Sequence, residues 1–229
     1  MPVRKKAPED LTAKKALALE VIQRLKAEYP DAGCTLDYDH AWQLLVSVRL
    51  AAQCTDARVN IVVEELFAKY PSVAALAAAE PEDIEAIVKP CGLGHSKARD
   101  ISACMRMLRD KYNCQVPTTF EELLALPGVG RKSANLIMGD VFGKPAIVTD
   151  THCIRLCNKI GLVDGIKEPQ KVEMALWKII PPEEGSDLCH RFVMHGRAVC
   201  NARKPECEKC CLNDICRYAR EQSGADTAQ

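Results

Sequence analysis

Amphipathic helical segments fill most of this chain and constrain its fold more than any other feature. Apolar residues recur at three- and four-residue spacing in the segments 11–29, 41–52 and 57–70, as on one face of a helix. Leu, Ala, Lys, Glu and Arg are plentiful, whereas aromatic residues make up only 5% of the chain. The run 146–150 (AIVTD) is the only candidate for a β-strand. We therefore expect an all-α protein.

Capping residues and prolines predict where the helices begin and end. Asp10 can cap a first helix that Pro30 stops, and Thr55 can open a helix that Pro71 closes. A helix is also predicted to start at Thr151. Further helices are predicted at 72–79, 81–88, 97–112, 121–126, 131–142, 169–180 and 186–200.

Charge and composition exclude several classes of protein. No apolar run approaches the 18 residues that a membrane span needs, and the basic N-terminus MPVRKKAPED lacks the apolar core of a signal peptide. Basic and acidic residues both number 31, so any surface for nucleic acid has to be local. We expect an intracellular, cytoplasmic protein that is monomeric and does not enter a membrane.

The segment LPGVGRK, residues 126–132, is the first with recognisable chemistry. Gly128 and Gly130 follow a proline between two predicted helices, and glycine permits positive φ and close backbone approach. Free N–H groups of such a turn and of the next helix suit a phosphate, which is bound without reading sequence. An ordinary helical hairpin explains the same pattern equally well. The second helix is predicted to bury Ala134, Ile137, Met138 and Val141.

Lys132 and Asp150 are the candidate catalytic residues. Lys132 lies in the first turn of its helix beside Arg131, and both the helix dipole and Arg131 should lower the pKa of its amine. A lowered pKa suits a nucleophile, but a charged lysine that contacts phosphate is the alternative. Asp150 is predicted to be the N-cap of the following helix, a position that does not preclude a catalytic carboxylate.

Four of the thirteen cysteines form a compact group with the spacing C-x6-C-x2-C-x5-C: Cys200, Cys207, Cys210 and Cys216. Four thiolates are the ligand set of a [4Fe–4S] cluster, whereas structural zinc usually takes two C-x2-C pairs further apart. Zinc remains the alternative. Arg203 and Lys204 lie in the first loop of this group and could form a basic element that faces DNA. The other nine cysteines are expected to be small buried hydrophobic residues.

LPGVGRKSAN, VTDTH, HGRAVC and the four-cysteine loop, in this order, resemble the endonuclease III family of helix-hairpin-helix DNA glycosylases, from about Leu11 to Tyr218. The resemblance implies two lobes: a six-helix barrel domain at 34–144 that carries the hairpin, and a discontinuous iron–sulfur cluster domain at 1–33 and 145–229. Substrate would lie in the cleft between the lobes, with Lys132 and Asp150 facing each other. The first ten or so residues and those after Ala219 fall outside the match, and we expect them to be disordered.

The resemblance also implies base-excision repair of double-stranded DNA that contains damaged pyrimidines or abasic sites. The damaged nucleotide would be flipped out of the duplex. Lys132 would attack C1′, displace the base and form a Schiff base, and β-elimination would then cleave the strand, with Asp150 assisting. Gln53 would fill the gap left by the flipped base and Leu93 would enter the duplex as a wedge. Without the resemblance, these two would be a helix-end amide and an apolar turn residue that packs inward.

Other functions remain open at this point. Adenine DNA glycosylases share the fold and the cluster but usually lack the lysine at the position of Lys132. Mismatch-specific thymine or uracil glycosylases of the same superfamily are nearer rivals. A DNA-binding module, an iron–sulfur redox sensor and a zinc-braced helical adaptor are the non-enzymatic alternatives. If the protein is a repair enzyme, we expect it to associate with the nucleoid.

Overall fold

A computed structural model describes residues 8–224, and within that range the protein has twelve α-helices, three short 3-10 helices and no β-strand. The prediction of an all-α fold is confirmed. The candidate strand at 146–150 is extended, largely buried chain that leads into a helix. The 3-10 helices are Lys89–Cys91, Pro182–Glu184 and Cys207–Lys209. The α-helices are α1 (Pro8–Glu28), α2 (Ala41–Leu50), α3 (Asp56–Lys69), α4 (Val73–Ala78), α5 (Pro81–Val88), α6 (Gly94–Lys111), α7 (Phe120–Ala125), α8 (Arg131–Asp140), α9 (Thr151–Ile160), α10 (Pro169–Leu176), α11 (Gly185–Ala198) and α12 (Arg217–Gln222).

Contacts within the chain divide it into two compact units. One, the hairpin unit, is Cys34–Lys144 and contains α2 to α8. The other, the cysteine unit, combines Met1–Gly33 with Pro145–Gln229 and contains α1 and α9 to α12. The hairpin unit has the seven α-helices that the sequence predicted between 41 and 142, whereas the resemblance implied a six-helix domain.

The core of the hairpin unit lies around α6, which packs against α4 and α5. Ile101, Met105 and Leu108 are buried on one face of α6, at the four- and three-residue spacing of a helix. Helix α2 packs against α3, α6 and α8, and its Trp42 meets Phe67 edge to face, with ring centroids 5.1 Å apart. These contacts fix the ends of α2, α6 and α8 relative to one another.

The core of the cysteine unit lies between α11 and its neighbours α1 and α9. Helix α11 begins so close to the extended segment that a Cβ on Gly185 would lie 2.4 Å from the Ala146 carbonyl oxygen. The Val148 N–H donates to Cys189 Sγ of α11 at 3.2 Å. This packing fixes the segment that leads to Asp150.

Both ends of the chain differ from the sequence-based expectation. Helix α1 begins at Pro8 rather than after Asp10, as proline is well tolerated in the first helical turn. Helix α12 continues to Gln222, beyond Ala219, where disorder was expected, and Ala219 is buried. The expected disorder at 1–7 and 225–229 lies outside the described residues. No helix within 8–224 is long and apolar enough to cross a membrane.

Candidate functional site

The two glycines of the hairpin between α7 and α8 have different structural roles. Gly128 has φ of +75°, and a Cβ there would lie 2.9 Å from Asp100 Cβ and 3.1 Å from Arg49 Cδ. Gly130 has an ordinary φ of −93°, and a Cβ there would meet nothing within 4 Å. Packing within the hairpin unit therefore explains Gly128 but not Gly130. At Gly130 the missing side chain leaves room for a group from outside the chain.

The start of α8 is open to an anion. Gly130 is the N-cap residue and offers no side-chain cap, so the N–H groups of the first turn lack a helical acceptor. The guanidinium of Arg131 lies 5.0 Å from the centre of the Phe120 ring, where it can make a cation–π contact. This end of α8 thus has the backbone donors and positive dipole that suit a phosphate.

The buried face of α8 determines where Lys132 points. Ala134 and Ile137 are fully buried, as predicted, whereas Met138 and Val141 are half-buried and pack against the same core. Lys132, on the opposite side of the first turn, is exposed. Its amine is therefore accessible to a substrate.

Asp150 is the N-cap of α9, as predicted. Its Oδ1 accepts a hydrogen bond from the Cys153 N–H at 2.7 Å, and the residue is half-buried. A hydrogen bond with Cys157 raises the pKa of Cys153 well above its usual range, and one with Cys153, together with burial, does the same for Cys189. Because these buried thiols stay protonated, they place no charge beside the Asp150 carboxylate.

Gln53 and Leu93 both have left-handed backbone conformations, with φ of 58° and 53°. Such a conformation costs a residue with a Cβ about 1–3 kcal/mol and is common at ligand-binding positions. Gln53 is exposed, and the Leu93 side chain is 60% exposed. The reading of Leu93 as an apolar residue that packs inward is therefore wrong. Val129 lies between Gly128 and Gly130 as Leu93 lies between Gly92 and Gly94, and it does pack against the core.

The four predicted metal-binding cysteines line one cavity: Cys200, Cys207, Cys210 and Cys216. Its other walls include Val199, Pro205 and the aromatic ring of Tyr218. Arg203 and Lys204 are exposed in the loop that precedes Cys207. Of the other nine cysteines, Cys91, Cys104, Cys153, Cys157 and Cys189 are buried as expected, and the rest, Cys34, Cys54, Cys114 and Cys211, are half-buried.

A hydrogen-bond chain that the sequence did not reveal reaches one of these cysteines. Buried His195 has its Nε2 3.2 Å from Cys210 Sγ and its Nδ1 3.0 Å from the Tyr29 hydroxyl. If Tyr29 donates to Nδ1, the imidazole proton is on Nε2 and is donated to the sulfur. His195 belongs to the HGRAVC motif, but nothing in the sequence linked it to Tyr29, which lies directly after α1.

Lys97, in the hairpin unit, was also missed by sequence analysis. It is fully buried, and its Nζ donates to the carbonyl oxygens of Leu50 and Cys91, each at 2.8 Å. The available signal was its position: Lys97 precedes buried Ile101 by one helical turn, on the apolar face of α6. A lysine on the buried face of a helix needs acceptors, and the fold supplies them from two other segments.

Known proteins match the chain over most of its length. Residues 46–182 match the family model for HhH-GPD superfamily base excision DNA repair proteins. The chain is 42% identical to the endonuclease III of Synechocystis sp. over 211 residues, which are 92% of this chain and 96% of that protein. It is 38% identical to endonuclease III of Escherichia coli (strain K12) over 204 residues, 89% of this chain and 96% of that protein.

A solved structure of a trapped endonuclease III–DNA covalent intermediate, an estranged-adenine complex, has the same fold. It superposes with a TM-score of 0.86 at 40% sequence identity and covers 91% of this chain and 98% of its own. The chain therefore belongs to the HhH-GPD superfamily of base excision DNA repair proteins and, within it, to the endonuclease III family of DNA glycosylases.

Proposed function

We propose that this protein removes damaged pyrimidines from double-stranded DNA and cleaves the strand at the resulting abasic site, with Lys132 as the nucleophile. The observation that carries the proposal is the exposed amine of Lys132 in the first turn of α8, directly after the open backbone at Gly130. A relative with 40% identity has been solved as a trapped covalent intermediate with DNA, which supports covalent chemistry in this family. An enzyme with this substrate would work at the nucleoid.

Lys132 would act through its neutral amine. The amine attacks C1′ of the flipped nucleotide, the N-glycosidic bond breaks, and the base leaves with its bonding electrons. The nitrogen then loses a proton and the C1′–O4′ bond breaks, which opens the sugar ring to a Schiff base at C1′. This Schiff base acidifies the C2′ hydrogen, and removal of that proton expels the 3′ phosphate by β-elimination. A second group must take up and return protons during these steps.

Asp150 is our candidate for that second group. Its Oδ1 is used by the N-cap bond to Cys153, which fixes the carboxylate at the start of α9. Oδ2 remains to stabilise positive charge that develops on the sugar or to accept a proton. The thiols of Cys153 and Cys189 are protonated, so neither adds a second negative charge beside this carboxylate.

Binding to DNA would use backbone groups and two inserted side chains. The turn at Gly128 and Gly130, with the N–H of Arg131, would hold a phosphate. Gln53 would fill the gap left by the flipped base, and Leu93 would enter the stack. The exposure and left-handed backbone of both residues support these roles. Exposed Arg203 and Lys204 would contact further phosphates.

The four cysteines of the cavity would hold a [4Fe–4S] cluster. Its role here would be structural, because it would cross-link the loop that carries Arg203 and Lys204. Four thiols around one largely apolar cavity fit such a cluster. A single zinc ion is the alternative, and it would need its sulfur ligands about 2.3 Å from one point. Within the described residues, no three or more His, Cys, Asp or Glu side chains form a group that could hold one metal ion. His195 would donate a hydrogen bond to the sulfur of Cys210.

Borohydride trapping tests the proposal. Wild-type protein is incubated with a duplex that contains one thymine glycol, borohydride is added, and covalent protein–DNA product is measured. We expect product with wild type and with Lys111→Ala, which removes an exposed lysine of the same unit, and none with Lys132→Ala. Trapping by Lys132→Ala at the wild-type level would exclude Lys132 as the nucleophile. If brown, cluster-loaded wild-type protein leaves the strand uncleaved and gives no covalent product, the protein is instead a monofunctional mismatch glycosylase or a DNA-binding protein.

A further inference from the structure

Lys97 is a fully buried lysine whose ammonium donates to two backbone carbonyl oxygens. Lysine is almost never fully buried unless it is paired, because its ammonium loses the water that stabilises the charge. Burial is the largest influence on its pKa and lowers it, while nearby Cys91 and Cys54 act in the opposite direction. The hairpin unit compensates for the lost hydration of the ammonium with two carbonyl oxygens. The positions of these two carbonyl groups in the fold indicate the role of the lysine.

Both acceptors are the last residues of helices. Leu50 ends α2, and Cys91 ends the 3-10 helix Lys89–Cys91. Carbonyl groups at such positions lack helical donors and carry the negative end of the helix dipole, so an ammonium suits them. One Nζ atom thus joins the ends of two segments that lie 41 positions apart, from residue 50 to residue 91.

Each of these helix ends leads directly to one of the two residues proposed to enter the DNA. Gln53 follows Leu50 by three residues, and Leu93 follows Cys91 by two. Both have left-handed backbone conformations. A strained conformation of this kind persists only where the surrounding structure holds it. The Lys97 ammonium bonds both helix ends directly, and the Cys91 side chain adds a hydrogen bond to Cys54, the residue after Gln53.

A second contact from α6 strengthens the end of α2. Asp100, one turn after Lys97, pairs with Arg49, with Nη2 and Oδ2 2.6 Å apart. Arg49 directly precedes Leu50, and the side chains of Arg49 and Asp100 both pack against Gly128 of the hairpin. The first two turns of α6 therefore tie together three segments: the end of α2, the turn that carries Leu93 and the hairpin.

We propose that Lys97 is a positioning residue that fixes the separation and orientation of Gln53 and Leu93, so that the two side chains enter the duplex together when the damaged nucleotide leaves it. The inference rests on the proposed function. Lys97 does not touch the substrate. Losing it should slow the extrusion of a paired base and spare the chemistry on a base that is already extruded.

The test compares two substrates with Lys97→Met, which keeps the unbranched chain as far as its fourth atom and removes the ammonium and both hydrogen bonds. Single-turnover excision of thymine glycol is measured in a fully paired duplex and in a duplex where the lesion lies in a mismatched bubble, which lowers the cost of flipping. We expect a rate loss on the order of tenfold or more in the paired duplex and a much smaller loss in the bubble. Lys97→Arg, which retains donors for both carbonyls, should recover part of the rate. Lys111→Met, on the exposed end of the same helix, should match wild type on both substrates.

A double-mutant cycle separates positioning from a general loss of structure. If Lys97 acts through the inserted residues, Lys97→Met should change the paired-duplex rate little in a Gln53→Ala, Leu93→Ala background. Where Lys97→Met does not fold, Lys97→Arg takes its place in the cycle. An equal rate loss on paired and bubble substrates, an additive cycle, or a wild-type rate on the paired duplex would each overturn the inference. If the wild-type protein excises thymine glycol from neither duplex, the proposed function is overturned, and the inference with it.

Discussion

The two glycines of the hairpin should respond to the same substitution in opposite ways. An alanine at position 128 must adopt φ of +75°, which costs about 1–2 kcal/mol for a residue with a Cβ. Its methyl group would lie 2.9 Å from Asp100 Cβ and 3.1 Å from Arg49 Cδ, well inside the separation at which carbon atoms attract, and overpacking of this kind costs about 1–3 kcal/mol. We therefore expect Gly128→Ala to lower the free energy of unfolding by about 2–5 kcal/mol.

An alanine at position 130 meets neither penalty. The φ of Gly130 is −93° and its Cβ direction is open, so Gly130→Ala should leave the free energy of unfolding unchanged or raise it by up to about 1 kcal/mol, because alanine restricts the unfolded chain. The methyl group should instead hold a phosphate away from the first turn of α8. Losing one charge-assisted contact predicts DNA binding that is weaker by about tenfold.

Urea unfolding and DNA binding together measure both effects. Trp42 is buried in the hairpin unit, and Trp177→Phe makes it the only tryptophan of the chain, so its fluorescence reports on this unit. Binding is measured on undamaged duplex to isolate the backbone contact from flipping. Gly33→Ala, at a second open glycine outside the hairpin unit, should change neither quantity. Equal destabilisation by both hairpin substitutions, or wild-type DNA affinity in Gly130→Ala, would refute the reasoning.

Two further predictions concern the cysteine unit. Asp150→Asn keeps a good N-cap for α9 and should hold the free energy of unfolding within about 0.5 kcal/mol of wild type, yet reduce excision about 100-fold or more in a single-turnover assay; full activity would remove Asp150 from the mechanism. Cys210→Ser should abolish the brown colour and visible absorbance of the purified protein, whereas Cys211→Ser, its neighbour outside the cavity lining, should retain both. Equal loss in the two variants would argue against the proposed ligand set.

Local signals in the sequence were sufficient to predict most of the helices and the positions of Lys132 and Asp150 at the starts of α8 and α9. Apolar spacing in α8 predicted which side is buried and hence which side carries Lys132, because the helical repeat fixes both faces at once. Asp150 was predicted as an N-cap because a carboxylate just before a helix bonds an N–H three residues later, as it does with Cys153. Both interactions involve residues close in sequence, so neighbouring residues specify them.

Tertiary structure decided the features that depend on distant segments. The motif Gly-apolar-Gly occurs at Leu93 and at Val129, yet the first side chain is exposed and the second packs on the core. Gly128 and Gly130 look alike in the sequence, and only packing against Arg49 and Asp100 separates them. Lys97 bonds a carbonyl 47 residues away. The backbone of each segment sets its helical periodicity, so neighbouring residues are enough to predict it. Which side chains meet between segments depends on how distant segments pack, and no short stretch of the sequence specifies that packing.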